Sequence, residues 1–162
     1  MKDLLDKLSS YNIVNYLLPG VLFAVIVSKL SIYSLVQSDI ILGIFVYYFI
    51  GLVISRVGSL FLEPVLKYMS FVTFAPYADF VSASKKDPKI ETLSEVNNMY
   101  RTLCSMFVLI IILLGYQSLQ CRFPVLGRWN PYIIATLLIF LFLFSYRKQT
   151  EYVKKRIDAN RS

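Results

Sequence analysis

Charged residues are absent from long stretches of the chain. Three stretches of 21, 20 and 18 residues, at positions 8–28, 102–121 and 129–146, contain no Asp, Glu, Lys or Arg. A fourth stretch, Ile40–Leu62, contains Arg56 as its sole charge. Since an α-helix of about 20 mostly apolar residues crosses about 30 Å of hydrocarbon, this pattern predicts four transmembrane helices.

The predicted fold is an all-α integral membrane protein with a single four-helix transmembrane domain over residues 1–162. The runs are continuously apolar, whereas the strands of a transmembrane β-barrel alternate apolar and polar residues. Asp3 and Asp6 stand where a signal peptide carries positive charge, so we expect the first helix to be retained. The predicted spans are Asn12–Val36, Ile40–Leu62, Tyr100–Leu119 and Trp129–Tyr146, with short outer loops, a larger insertion at 63–99 and a basic tail at 147–162.

Composition excludes a soluble globular domain and narrows the chemistry. The chain is 57% hydrophobic and 17% charged, against about 25% charged residues in soluble domains. It contains no His, which excludes a His-based triad or a His metal site in this chain. There is no glycine-rich phosphate loop and no acidic cluster in the spans, so we expect no enzyme activity, cofactor or metal. Cys104 and Cys121 lie about 25 Å apart along one helix, too far to pair with each other.

Lys and Arg are distributed unequally between the two predicted faces of the membrane. The N-terminus, the middle insertion with Arg101 just after it, and the tail together hold 13 of them, and the opposite face holds three. The positive-inside rule therefore predicts that both termini and the insertion are cytoplasmic.

Local signals predict structure outside the spans. Met1–Tyr11 has the pattern of an amphipathic helix lying on the membrane. Pro64, directly after Glu63, favours a helix end. Ser82–Asp87 is typical of a solvated turn, and Thr92 with Glu95 resembles a capping box that starts a helix running into the third span.

The second span carries small residues at multiples of four. Such a stripe lets helix backbones approach closely in lipid. The contact is either between helices of one chain or between subunits, and we expect a homo-oligomer. The residues of this predicted packing or oligomer interface are Gly43, Gly51, Ser55, Gly58 and Ser59.

Arg56 and Glu63 are charges inside or at the edge of the second span. Because intramembrane charge is costly, such residues usually face protein or water. One interpretation is that the Arg56 side chain snorkels to the headgroups. The other is that it lines an inner vestibule or pairs with another helix. In the first span, Pro19-Gly20 predicts a kink, which is static or a hinge.

Basic residues on the predicted cytoplasmic side form a candidate contact surface. Such clusters attract anionic lipid headgroups, and a cytoplasmic protein partner is the alternative ligand. The net charge of +7 is largely explained by membrane orientation, so direct nucleic-acid binding is not expected. The candidate residues are Lys85, Lys86, Lys89, Arg147, Lys148, Lys154, Lys155 and Arg156.

The chain resembles the small four-span membrane subunits of bacterial antiphage defence systems, such as that of the Kiwa system. The resemblance rests on Asn-Tyr-Leu-Leu-Pro-Gly at Asn15–Gly20, on Ser-Arg-Val-Gly-Ser and Glu-Pro within Ser55–Pro64, and on the basic helical tail. It implies an oligomeric protein of the bacterial inner membrane that senses phage-induced membrane perturbation and controls a cytosolic effector. The alternative function is a homo-oligomeric ion channel or a membrane-permeabilising effector.

Overall fold

The computed structural model describes residues 12–161, and every regular element in that range is helical. The all-helical prediction is confirmed, while the predicted amphipathic segment Met1–Tyr11 lies outside the described residues. The helices are α1 (Leu18–Leu30), α2 (Ile40–Val57), α3 (Glu63–Tyr68), α4 (Tyr77–Lys86), α5 (Lys89–Arg122) and α6 (Val125–Arg161), with π-helical turns at Ile13–Leu17 and Gly58–Leu62.

Within the described range, three helical stretches are long and apolar enough to cross a membrane. They are Ile40–Tyr68, Lys89–Arg122 and Val125–Asn160. The chain is therefore of the multi-pass helical membrane class. The first apolar helix, Asn15–Leu30, is shorter.

The first helix ends at Leu30, before the predicted boundary at Val36. Ser31 adopts an extended backbone conformation, and its hydroxyl donates to the Val27 carbonyl at 2.7 Å and accepts from the Tyr33 N–H at 3.1 Å. A serine that bonds the local backbone in this way competes with helix continuation.

The second helix continues past the proline that was predicted to end it. The π-helical turn Gly58–Leu62 leads directly into α3, where Pro64 occupies the first turn. Proline lacks the N–H that a helix interior uses, and the π-helical turn before it changes which carbonyls need a donor. The start of α2 is as predicted, with the Asp39 carboxylate accepting from the Leu42 N–H at 2.8 Å.

The third and fourth apolar helices are longer than predicted. Helix α5 begins at Lys89, ahead of the proposed Thr92 cap, and α6 runs unbroken from Val125 through the basic tail. Their connection is therefore Phe123–Pro124, shorter than the loop predicted between Leu119 and Trp129. The predicted turn Ser82–Asp87 is wrong, since α4 continues to Lys86 and places Lys85 and Lys86 in its last turn, where positive charge favours a helix.

Helices α1, α2 and α5 form a packed unit that we call the frame. Its core contains Phe23 and Val27 of α1, Ile54 of α2, and Met106 and Ile110 of α5. Helix α6 lies beside the frame. Only 11% of the residues in its apolar 18-residue segment are buried, against 22% in the corresponding segments of the helices that contain α2 and α5.

Two glycines allow the close approach of α1 and α2. A Cβ atom on Gly20 would overlap the Tyr47 carbonyl, and one on Gly51 would overlap the Tyr16 carbonyl. Backbones in such contact leave no room for any other residue type, which is the usual mode of tight helix association in membranes.

Candidate functional site

The two ends of the helical bundle differ in chemistry. At the short-loop end, defined by Ser31–Asp39 and Phe123–Pro124, the side-chain hydrogen bonds that join separate elements are between neutral groups. Ile32 donates its N–H to Gln117 Oε1 at 3.1 Å, and Tyr33 and Gln120 form a side-chain hydrogen bond. The opposite end, which we call the basic end, contains α3, α4, the beginning of α5 and the end of α6.

A buried carboxylate organises the basic end. The side chain of Glu63 is 7% exposed and lies 2.6 Å from Arg101 Nη1, 3.0 Å from Lys67 Nζ and 3.8 Å from Lys148 Nζ. We call these four residues the Glu63 cluster. The cluster joins three helices, since Glu63 and Lys67 belong to α3, Arg101 to α5 and Lys148 to α6.

Lys148 also binds the backbone of the π-helical turn. Its ammonium group donates to the Ser59 carbonyl at 2.6 Å and to the Ser59 hydroxyl at 2.8 Å. A π-helical turn leaves backbone carbonyls with altered partners, and a lysine head is a suitable donor. Lys148, expected among the exposed contact residues, is thus three-quarters buried, with 24% of its side chain exposed.

A cavity of about 440 Å³ lies beside the Glu63 cluster. Its lining includes four basic residues, Arg56, Lys67, Arg101 and Lys155, and one acidic residue, Glu63. Aromatic side chains of α4 and α6 form part of the wall, where the Tyr77 and Tyr152 rings lie 6.0 Å apart. Arg56 and Glu63 therefore share a cavity without forming an ion pair with each other, and the alternatives for Arg56 stay predictions.

The small residues of α2 contact other parts of the same chain. Gly51 lies against α1, and a Cβ atom on Gly58 would overlap the Ser105 hydroxyl of α5. Ser55 accepts a 3.4 Å hydrogen bond from Thr102 of α5. Gly43 is buried beside Gln37 and Tyr47, and Ser59 binds Lys148, as described above. The stripe thus serves packing within the chain, and a homo-oligomer interface stays a prediction.

Most other predicted contact residues remain at the surface of the basic end. Lys85 donates to Asn160 Oδ1 at 2.8 Å and so connects α4 with the end of α6. Arg147 Nε lies 3.3 Å from Glu151 in an exposed pair. The remaining residues, Lys86, Lys89, Lys154, Lys155 and Arg156, are exposed.

Sequence reasoning missed the partners of Glu63. In the sequence, Arg101 and Lys67 were counted only among the charges that predict membrane orientation. A buried carboxylate at the end of an apolar helix nevertheless needs cationic partners. The sequence offers many cations within reach of the basic end, and no spacing rule selects Arg101, which lies 38 positions from Glu63. Gly20 was noted only for a kink, while its packing role depends on the position of α2.

The described residues contain no group of three or more Cys, Asp or Glu side chains able to hold a metal ion. Cys104 and Cys121 are both exposed free thiols. Comparison of the chain with protein-family models, curated proteins and solved structures gives no match. The function is therefore argued from the geometry of the basic end.

Proposed function

We propose that this chain is a non-enzymatic membrane sensor or anchor that acts through a cytoplasmic protein partner in bacterial antiphage defence. The proposed topology has four spans in the inner membrane, with both termini and the basic end in the cytoplasm. The excess of Lys and Arg at the basic end supports this orientation. Residues 12–30 are helical throughout, and 19 helical residues extend about 28 Å, which supports a short first span.

The observation that carries the proposal is the position of the Glu63 cluster. It lies where the apolar helices pass into charged segments, which in α6 are residues 147–161, here called the extension of α6. It bonds α3, α5 and α6 to one another. A change in the tilt of one span therefore changes the geometry of the charged segments. Tilting is one way in which a helix accommodates a mismatch with bilayer thickness, so spans of unequal length respond unequally to a perturbed membrane.

The exposed cations supply the surface on which a signal would be transmitted. The exposed cations on the extension of α6 are Lys154, Lys155 and Arg156. Two more are Lys86 at the end of α4 and Lys89 at the start of α5. Basic segments at a membrane surface bind anionic headgroups with about 1 kcal/mol per charge. An acidic protein partner competes for the same charges, so movement of the extension shifts the balance between lipid and partner. Direct nucleic-acid binding is not part of the proposal.

Co-purification tests the proposal. The chain is expressed with its genomic neighbours, extracted in a mild detergent and analysed by native mass spectrometry. We expect a soluble protein at fixed stoichiometry with wild type, and its loss with Glu63→Gln, which breaks the cluster. Glu151→Gln is the matched control, because it makes the same chemical change in an exposed pair of α6. A wild-type chain recovered without any soluble protein would contradict the proposal.

Homo-oligomerisation remains part of the proposal and is tested by the subunit count in the same spectra. The channel alternative requires such an assembly together with ion flux. Flux across vesicles that contain the purified chain, altered by Arg56→Gln, would favour the channel over the sensor.

A further inference from the structure

The cavity at the basic end has more positive charge than its own residues neutralise. Of its lining residues within the described part of the chain, four are basic and one is acidic. The acidic residue, Glu63, is already within 4 Å of three cations, with distances of 2.6, 3.0 and 3.8 Å. Like charges gathered at a partly buried site destabilise one another, and a bound anion removes that repulsion.

Arg56 is a partly buried cation of the cavity that has no acidic partner among the described residues. It is half-buried in the wall of the cavity, and no carboxylate among the described residues lies within ion-pair distance of it. An arginine within an apolar helix is costly to place. Because Arg56 lines the cavity, its charge is available to a ligand bound there.

Arg101 provides a second donor. Its Nη1 binds Glu63, while its Nε is buried and has no hydrogen-bond partner. Buried donors are almost always satisfied, so Arg101 has donor capacity beyond its bond to Glu63. Arg101 lines the same cavity as Arg56.

We propose that this cavity binds a phosphate group, carried either by an anionic lipid or by a soluble phosphate compound. Arginine is suited to phosphate because its planar guanidinium donates two parallel hydrogen bonds. Arg56 and the guanidinium of Arg101 bind the phosphate oxygens, and Lys155, on the extension of α6, adds a point charge. The volume of about 440 Å³ lies within the range of about 300–1,000 Å³ typical of small-molecule sites.

The ligand would also stabilise the position of α6. Arg56 belongs to α2, Arg101 to α5 and Lys155 to α6, so a phosphate held by all three bridges the frame and the extension of α6. The site does not depend on a defence role or on a protein partner, since it consists of residues of one chain. Its test therefore uses the purified chain alone and can fail independently of the proposed function.

Calorimetric titration of the full chain in mild detergent tests the site. The titrants are inorganic phosphate, ATP and dihexanoyl-phosphatidylglycerol, with dihexanoyl-phosphatidylcholine as the lipid without net charge. The test variant is Arg56→Gln, which removes a costly intramembrane charge and so does not threaten folding. The matched control is Arg156→Gln, which removes the same charge from an exposed position of α6.

We expect wild type to bind at least one of the three anionic titrants. Arg56→Gln should weaken that binding about tenfold or more, the loss that follows removal of a charge-assisted donor, while Arg156→Gln stays within about twofold. Binding of the phosphatidylglycerol alone assigns the phosphate to a lipid, and binding of phosphate or ATP alone assigns it to a soluble compound. Absence of binding by wild type, or equal weakening in both variants, would overturn the proposal.

Discussion

The frame and α6 are held by different forces. Helices α1 and α2 meet at Gly20 and Gly51, where the backbone of one helix touches the other, and α5 completes a buried apolar core with them. Helix α6 has a mostly exposed apolar surface and is attached through a few side chains. These include Phe142, whose ring lies 6.1 Å from that of Phe49, and Lys148 at the Glu63 cluster.

The difference locates the part of the molecule that is able to move. Close packing is unaffected by small changes in the bilayer, because interiors packed at this density resist deformation. A helix attached by a few polar and ring contacts shifts at lower cost, since each contact is worth about 1 kcal/mol or a few times that. We therefore infer a fixed position for the frame and a variable one for α6, with the Glu63 cluster as the connection.

The largest expected effect is the loss of the frame in Gly51→Leu. The added side chain would force α2 away from the Tyr16 backbone, at a cost of about 3 kcal/mol or more. Thermal unfolding in detergent should show a large fall in Tm or an aggregated protein. Gly115→Leu is the control, because no atom lies within 4 Å of a Cβ at Gly115, and its Tm should remain that of wild type.

The next effect is that of Glu63→Gln. It leaves Arg101 and Lys148 together without a compensating charge, and removal of one partner of a buried pair costs about 3–5 kcal/mol. We expect about 2 kcal/mol here, because Lys67, at 43% exposure, is able to turn to solvent. Unfolding by denaturant in detergent measures the change. A midpoint equal to that of Glu151→Gln would mean that the cluster contributes nothing to stability.

A smaller effect is expected from Phe142→Ala. The contact of Phe142 with Phe49 is one ring pair, worth about 1 kcal/mol beyond the area that it buries. The variant should loosen α6 while leaving the frame folded, which proteolysis of the extension under native conditions would detect. Phe140→Ala removes a ring that is 55% exposed, and its cleavage rate should match wild type.

The smallest effect is expected from Arg147→Ala. Its pair with Glu151 is exposed, with 75% and 56% of the two side chains accessible, and such pairs contribute about 0–1 kcal/mol. The denaturation midpoint should change little, and any difference from wild type should shrink at high salt because exposed charges are screened. A loss as large as that of Glu63→Gln would contradict the small contribution expected of an exposed pair within one helix.

The sequence predicted features that depend on local composition. The apolar runs indicated the long helices, and Asp39 begins α2 where the second span was expected to start. It did not predict features that depend on distant partners. Pro64 forecast a helix end, but the π-helical turn before it carries the chain onward, and Lys148 was expected at the surface because only the fold brings it to Ser59.

Helix α4 provides the most direct test of the central claim that the Glu63 cluster holds the α6 extension on the frame. A ten-residue helix is unstable alone, so α4 depends on its packing against α5 and α6. Hydrogen–deuterium exchange is measured in lipid nanodiscs for wild type, Glu63→Gln and Glu151→Gln. We predict faster exchange over 77–86 in Glu63→Gln alone, with 40–57 unchanged. Equal protection of 77–86 in all three proteins would contradict the account.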